Sequence, residues 1–461
     1  MIMSVVVAAG LVAAAVAAPV VSDVEQVHLA QAGPAGMASI TVSWLSNKSK
    51  TSTVKYGTSS GSYPHSASGD EGESYSFQSA YITELYTSGL IHHVTLYDLA
   101  PNTKYYYVAG STEGGFSAEF SFSTVGPSVQ PEPFSFAVMG DLGQTGNSSK
   151  TVAHILDGTY TYAMIVGDLS YADSAWKARS AEEPCTQERW DTWGRFIEPL
   201  AATVPLMVAP GNHEVEQDGA PPATQTEFLA FQKRFKMPSE PSFAHDGNLY
   251  FSYDAAGVHF VMLNSYMDYN ASSDQYTWLE RDLKAVDRSV TPWVVVSMHA
   301  PWYNSNQHHH DEVQELGMRL AMEGMLNDHS VDLVLAGHVH AYERMYNVKD
   351  NVTNPAGPVY INIGDGGNRE GPCPEYFQQP SWSAFREAAF GHGELQVANS
   401  THMHWAWHRI IDAEPTIGDQ VWLVKEKGPL ATPVVHGVGK SAKQYDGYAW
   451  MLNRQPAVAQ A

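Results

Sequence analysis

Five apolar runs in the middle of the chain share one punctuation. Phe136-Ala137-Val138-Met139, Ala163-Met164-Ile165-Val166, Pro205-Leu206-Met207-Val208, Val294-Val295-Val296 and Leu333-Val334-Leu335-Ala336 each break off into a short polar segment, usually opened by glycine. A short apolar run bounded by such a turn predicts a buried strand whose C-terminal end hands the next side chain to a loop. Thr224 to Phe235 and Asp311 to Leu326 read as helical segments between them. Strands alternating with helices predict an α/β domain over residues 134–412.

Residues 23–126 are patterned differently. Ile40-Thr41-Val42-Ser43-Trp44, Ser52-Thr53-Val54-Lys55-Tyr56, His92-His93-Val94-Thr95-Leu96, Lys104-Tyr105-Tyr106-Tyr107-Val108 and Phe120-Ser121-Phe122-Ser123 alternate or are rich in β-branched and aromatic residues. Several short strands in about 100 residues predict a β-sandwich. Its Tyr and Trp residues are expected to pack rather than to bind sugars. The stretch from Gly126 to Pro133, with three prolines, reads as the linker between the domains.

Composition adds location. Met1 to Ala18 is small and apolar, ends Ala-Ala-Val-Ala-Ala-Pro, and reads as a secretory signal peptide cleaved near Ala17 or Ala18. A spanning helix needs about 20 apolar residues, and polar residues begin at Ser22, so no membrane association is expected after cleavage. Asn-x-Ser/Thr acceptors at Asn47, Asn147, Asn270, Asn351 and Asn399 agree with a secretory route, extracellular or vacuolar. Cys185 and Cys373 are the two cysteines, enough for one disulfide in an oxidising compartment and too few for a framework of bridges. The chain is otherwise ordinary for a globular protein of two or three domains, at 461 residues, 44% hydrophobic and 16% charged. Its formal charge of −23, with no basic run interleaved with aromatics, argues against a nucleic-acid partner.

The polar segments that end the five runs carry the chemistry. In order they present Asp141, then Asp168 and Tyr171, then Asn212, then His299, then His338 and His340, at intervals of 27, 44, 87 and 39 residues between first members. Asp, Asn, His and Tyr offer hard oxygen and imidazole nitrogen and no thiolate, a set suited to iron, manganese or zinc. One ion cannot use seven donors; two ions sharing a bridging carboxylate can. Two ions about 3.5–4 Å apart are the recurring device for phosphate-ester hydrolysis, because they hold both the attacking and the leaving oxygen of an in-line displacement.

The ordered set Gly-Asp, Gly-Asp-Leu-Ser-Tyr, Gly-Asn-His-Glu, Ser-Met-His and Gly-His-Val-His resembles the metallophosphoesterase superfamily, and within it the purple acid phosphatases. The superfamily at large opens with Asp-x-His, and here that third position is Gly143; the purple branch carries instead a Tyr three residues after its second Asp, here Tyr171. Further stretches agree, among them residues 189–196, 286–293, 337–344, 364–370 and 384–393, so the resemblance covers roughly residues 25 to 425. The C-terminal segment 413–461 has no recognised counterpart from about Gly428 onward.

The resemblance implies a four-layer αββα fold in which two sheets pack face to face, preceded by a fibronectin type III-like domain. It also implies that Asp141, Tyr171 and His340 bind Fe(III), Asp168 bridges, and Asn212, His299 and His338 bind a divalent ion, zinc, iron or manganese. Three histidines are implied as proton donors to the leaving group, His213, His309 and, with a weaker match, His308. The activity implied is a secreted acid phosphatase acting on small phosphate monoesters, with hydroxide held by the metals as nucleophile and an acidic optimum. A phytase acting on inositol hexakisphosphate, a phosphodiesterase or nucleotide pyrophosphatase, and a non-catalytic binding protein are the alternatives; no ligand position is broken, which disfavours the last. Residues 341–363 lack the cysteine some plant members use to join subunits, which excludes a covalent dimer by that route and leaves a non-covalent homodimer open.

Overall fold

The computed structural model describes residues 22–33, 38–78, 84–173, 186–216, 227–240, 242–410, 416–426 and 434–437. The expected signal peptide and Cys185 lie outside them. Cys373 is buried with a free thiol.

The N-terminal domain is two antiparallel sheets. Strands β1 (Glu25–Ala32), β2 (Ser39–Ser46) and β5 (Leu90–Leu96) form one; β3 (Thr53–Gly57), β4 (His65–Ser68), β6 (Lys104–Ser111) and β7 (Phe120–Ser123) form the other. Alternation along these strands sends Trp44, Val94, Tyr107 and Phe122 into a core between the sheets, where each is at most 2% exposed. Trp44, Tyr105, Tyr107 and Phe122 pack, as their pattern predicts, while Tyr97 is 62% exposed.

The second domain is built on two larger sheets. In chain order its elements are β8 (Phe134–Met139), α1 (Gly146–Asp157), β9 (Tyr162–Val166), α2 (Glu188–Ala201), β10 (Leu206–Ala209), α3 (Leu229–Arg234), β11 (Phe251–Ala255), β12 (Val258–Met262), α4 (Asp274–Ala285), β13 (Trp293–Ser297), α5 (Val313–Asp328), β14 (Leu333–Ala336), β15 (Tyr342–Lys349), β16 (Val359–Ile363), β17 (Ser383–Glu387), β18 (Gly391–Val397), β19 (His402–Arg409), β20 (Thr416–Val424) and β21 (Val434–Gly437). One sheet runs β10-β9-β8-β18-β19-β20-β21 and the other β11-β12-β13-β14-β16-β15, with β17 also on β15. Strands β8 to β10 pair in parallel, as do β12, β13, β14 and β16; the outer strands are antiparallel. The parallel strands are the apolar runs, and β9, β10, β12, β13 and β14 are buried along their whole length, as strands covered on both faces must be. The Phe136 and Phe260 rings meet edge to face across the sheets with centroids 4.9 Å apart.

Helix boundaries follow local chemistry. The Thr145 hydroxyl accepts from the Asn147 and Ser148 amides while the Ser148 hydroxyl accepts from the Thr145 amide, a reciprocal cap that starts α1. α1 then buries Ser148, Thr151, Val152 and Ile155, one stripe at helical spacing. Two expectations move. The helix expected over 224–235 is confined to Leu229–Arg234, entered through Phe228 at φ 59°, a left-handed conformation that does not propagate a helix backwards; residues 224–226 lie outside the described set. The sheet of the second domain also continues past Asp412 through β20 and β21.

The domains are joined by polar contacts and shared apolar surface. Ala30, Leu45, Tyr75, Phe77 and Ile91 of the N-terminal domain belong to the same buried cluster as the core of the second domain. The Tyr107 hydroxyl donates to the Ala202 carbonyl at 2.8 Å, the Gln26 amide to Glu198 at 2.8 Å, and Arg195 pairs with Glu25 at 2.7 Å. None of the five glycosylation acceptors is buried.

Candidate metal centre

All seven expected ligands meet at the C-terminal ends of parallel strands, the edge where α/β folds place their sites. β8 delivers Asp141, β9 delivers Asp168 and Tyr171, β10 delivers Asn212 on a short 3₁₀ turn (Asn212–Glu214), β13 delivers His299, and β14 delivers His338 and His340. Four of them, Asp141, Asp168, Tyr171 and His338, sit at φ between 53° and 68°. Non-glycine residues in that region cost order 1–3 kcal/mol each and persist where the surroundings force them, a concentration typical of functional sites. The loops also approach closely: a Cβ on Gly211 would stand 2.1 Å from Asp168 Oδ1, and one on Gly167 2.3 Å from His299 Nδ1.

The donors sort into two groups. Asp141 Oδ1, Tyr171 Oη and His340 Nε2 lie 3.3–3.4 Å from one another. His299 Nε2 lies 3.1 Å from both Asp168 Oδ2 and Asn212 Oδ1, and Asp168, His299 and His338 present their ligand atoms within 4.8 Å of one another. Ligands about 2.0–2.2 Å from one ion stand about 3 Å from each other, so both groups have the right span for a cation.

Electrostatics agree. Asp141 and Asp168 are buried, and among the described residues their ion-pair partners are histidines only. Burial pushes Asp141 up from the usual carboxylate range. Burial, then Asp141 and Asp168, push the Tyr171 phenol well above its ordinary value. Burial opposes charge on His299, but Asp168 and Asp141 outweigh it and raise the imidazole to about 9. A cation between these groups would reverse each of these shifts. The residues therefore fit a metal pair.

Backbone contacts aim the imidazoles. His299 Nδ1 meets the Val166 carbonyl at 2.8 Å and His340 Nδ1 the Gly371 carbonyl at 3.2 Å, which turns both Nε2 atoms inward.

Several supporting residues were missed in the sequence. Glu214, fully buried, accepts from the Asp168, Leu169 and Gly211 amides at 2.8–2.9 Å and so ties the loops after β9 and β10 together. Tyr266 donates to Asn212 Oδ1 at 3.2 Å. Glu312 spans His309 Nδ1 at 2.8 Å and His338 Nε2 at 3.0 Å. Asp173 holds His213 Nδ1 at 2.6 Å, and Glu370 stands 3.9 Å from His213 Nε2. Only Glu214 had a signal, as the acid that closes Gly-Asn-His-Glu.

The expected proton donors separate. His213 is 5% exposed over the Tyr171 ring, with centroids 4.1 Å apart. Burial works against its charged form, yet Asp173 and Asp168 hold it up at about 10. His309 lies against His338 with ring centroids 3.8 Å apart. His308 is half exposed, and its ring bonds to Glu375 at 3.3 Å rather than to any ligand.

The chain matches three family models: purple acid phosphatase N-terminal domain over residues 24–124, calcineurin-like phosphoesterase over 134–342, and iron/zinc purple acid phosphatase-like protein C over 357–420. It is 48% identical to purple acid phosphatase 18 of Arabidopsis thaliana, over 87% of this chain and 84% of that protein. It is 40% identical to Fe(3+)-Zn(2+) purple acid phosphatase 12 of the same plant, over 74% of this chain and 72% of that one. Among solved structures, a purple acid phosphatase from yellow lupin (Lupinus luteus) seeds superposes with a TM-score of 0.70 at 22% identity, over 86% of this chain and 74% of that chain, a likeness of fold.

Proposed function

The chain belongs to the purple acid phosphatases and is a phosphatase; from that premise we propose that it is a secreted enzyme that hydrolyses small phosphate monoesters under acid conditions. Asp141, Tyr171 and His340 would hold Fe(III), Asp168 would bridge, and Asn212, His299 and His338 would hold a divalent ion. One relative's name specifies Fe(3+) and Zn(2+), the pair we carry to this chain. When bound, the pair supplies Lewis acidity that neutralises charge on the phosphoryl oxygens and lowers the pKa of water.

The chain's own residues do the rest. Asp173 engages His213 Nδ1, so Nε2 carries the proton that can reach the departing alkoxide. Glu312 engages His309 Nδ1 in the same way and, among the described residues, leaves that ring's Nε2 without a hydrogen bond. Glu214 fixes the loops that aim these groups. Secretion is supported by the apolar stretch from Met1 to Ala18 and by five acceptor asparagines, none of them buried. Among the described residues, no helix is long and apolar enough to cross a membrane.

One observation carries the reading: a carboxylate, a phenol and an imidazole within 3.4 Å of one another, beside a second group built on Asp168. The test is metal content together with the visible spectrum. Two ions per chain, one of them iron, with an absorption band lost in Tyr171→Phe, is the expected result. A single ion per chain, or undiminished turnover in Asp168→Ala, overturns the reading.

A further inference from the structure

We propose that the N-terminal sandwich is part of the catalytic apparatus, because one buried hydrogen-bond path runs from its Tyr75 to the turn that carries His213. The inference rests on His213 as proton donor. Tyr75 lies beside the ladder Ser76–Phe77/Tyr86–Thr87 of the N-terminal domain and is 4% exposed. Its hydroxyl donates to Gln187 Oε1 at 2.8 Å and accepts from Arg234 Nε at 3.0 Å. Gln187, just before α2 and 1% exposed, donates through Nε2 to Glu216 Oε1 at 2.9 Å, and the Trp190 indole donates to the same oxygen.

Glu216 is three residues beyond His213, 4% exposed and at φ 55°, a conformation that the surroundings must hold. Among the described residues its second oxygen has no partner, so both donors to the first oxygen are the grip on this side chain. The short turn bearing His213 is thus pinned twice. Glu214 ties it to the loop after β9, and Glu216, through Gln187, links it to Tyr75 of the neighbouring domain.

Arg234 closes the path on its other side. This guanidinium, 5% exposed, donates to Tyr75, to Tyr86 at 2.7 Å, to Gln26 at 3.1 Å and to Asp191 at 2.9 Å, and the first three of those acceptors come from the N-terminal domain. A buried polar group that loses its partner cannot turn to water and must drag its neighbours into a new arrangement. Loss of the Tyr75 hydroxyl removes one of the partners that orient Gln187, and through that side chain shifts Glu216 and the turn. Tyr75 and Gln187 act as positioning residues for His213.

The alternative is that these bonds only glue two domains together, and leaving-group dependence separates the two. A proton donor matters for an alkyl ester, whose leaving group is a strong base, and hardly at all for a 4-nitrophenyl ester. Full-length Tyr75→Phe, Gln187→Leu, the double variant and His213→Ala are assayed on glycerol phosphate and 4-nitrophenyl phosphate. In Tyr75→Phe and Gln187→Leu, kcat is expected to fall about tenfold on glycerol phosphate and less than about twofold on the nitrophenyl ester, with KM unchanged. The double variant is expected to be no worse than Gln187→Leu, as for two links of one path.

Equal losses on the two esters, or no loss, overturn the proposal even if thermal stability drops. Should Tyr75→Phe fail to fold, Gln187→Leu, within the catalytic domain, decides alone. If His213→Ala does not discriminate between the esters, the proton-donor reading fails. If it does while Tyr75→Phe and Gln187→Leu do not, only the present inference fails.

Discussion

Among the buried histidines set between carboxylates, His213 stands at the candidate metal centre and His259 stands away from it. His213 meets Asp173 at 2.6 Å through Nδ1 and faces Asp168 at 3.7 Å and Glu370 at 3.9 Å through Nε2. His259, on β12, meets Asp254 at 2.6 Å through Nδ1 and Asp282 at 2.9 Å through Nε2. Burial opposes charge on both rings, and the carboxylates win in both, raising His213 to about 10 and His259 to about 9. A raised pKa therefore does not distinguish the proposed proton donor from a histidine remote from the site. The uncommitted nitrogen does: His259 spends both N–H groups on short bonds, whereas among the described residues His213 Nε2 has no partner within bonding distance, as the proposed proton donor requires.

The sharpest way to break this contrast is to remove each ring. His213→Ala is expected to lower kcat on an alkyl monoester by about 10²–10⁴, the usual worth of a positioned general acid. His259→Ala is expected to leave kcat on that ester within about twofold, as befits a ring with no free donor to offer. Steady-state kinetics on the two purified variants checks this. Equal losses would mean that the free nitrogen is not what matters.

The next effect lies in stability. A histidine whose folded pKa is raised contributes stability fully present below its unfolded pKa of about 6.5 and lost as pH rises through the folded value. For His259 that window runs from about 6.5 to about 9. The shift corresponds to about 3 kcal/mol at pH 6. Denaturant titrations of wild type and His259→Gln should differ by about that amount at pH 6 and converge above pH 9. A difference independent of pH would assign the role of His259 to packing instead of charge.

The asymmetry between these two histidines also explains what sequence could reveal. Asp141, Asp168, Asn212, His299 and His338 were legible because each directly ends or follows a turn after an apolar strand, so local pattern fixes both element and edge. Tyr171 and His340 followed from fixed offsets to those positions. Glu312, Tyr266, Asp173 and Glu370 were not legible, because they reach the site from separate loops and no local periodicity records which loops meet. His309 and His308 are adjacent in sequence, yet the backbone at His309, φ 51°, turns its ring onto His338 while His308 goes to Glu375. The sandwich was readable from strand alternation, but its polar bridge to the site passes through Gln187 and Glu216, which carry no pattern at all.

The smallest expected effect tests the orienting carboxylates themselves. Asp173→Asn keeps an oxygen near His213 Nδ1 but removes the charge that favours the protonated ring and the unambiguous acceptor that fixes Nε2 as donor. A loss of about tenfold in kcat on an alkyl ester, with KM unchanged, is expected from one weakened charge-assisted bond worth about 1.4 kcal/mol. Asp254→Asn makes the same chemical change at His259 and is expected to lower denaturant stability below pH 9 while leaving kcat untouched. The pair of variants removes the same charge from the same kind of bond. A loss of turnover confined to Asp173→Asn is what an uncommitted ring nitrogen beside the candidate metal centre predicts, and equal turnover in the two variants contradicts it.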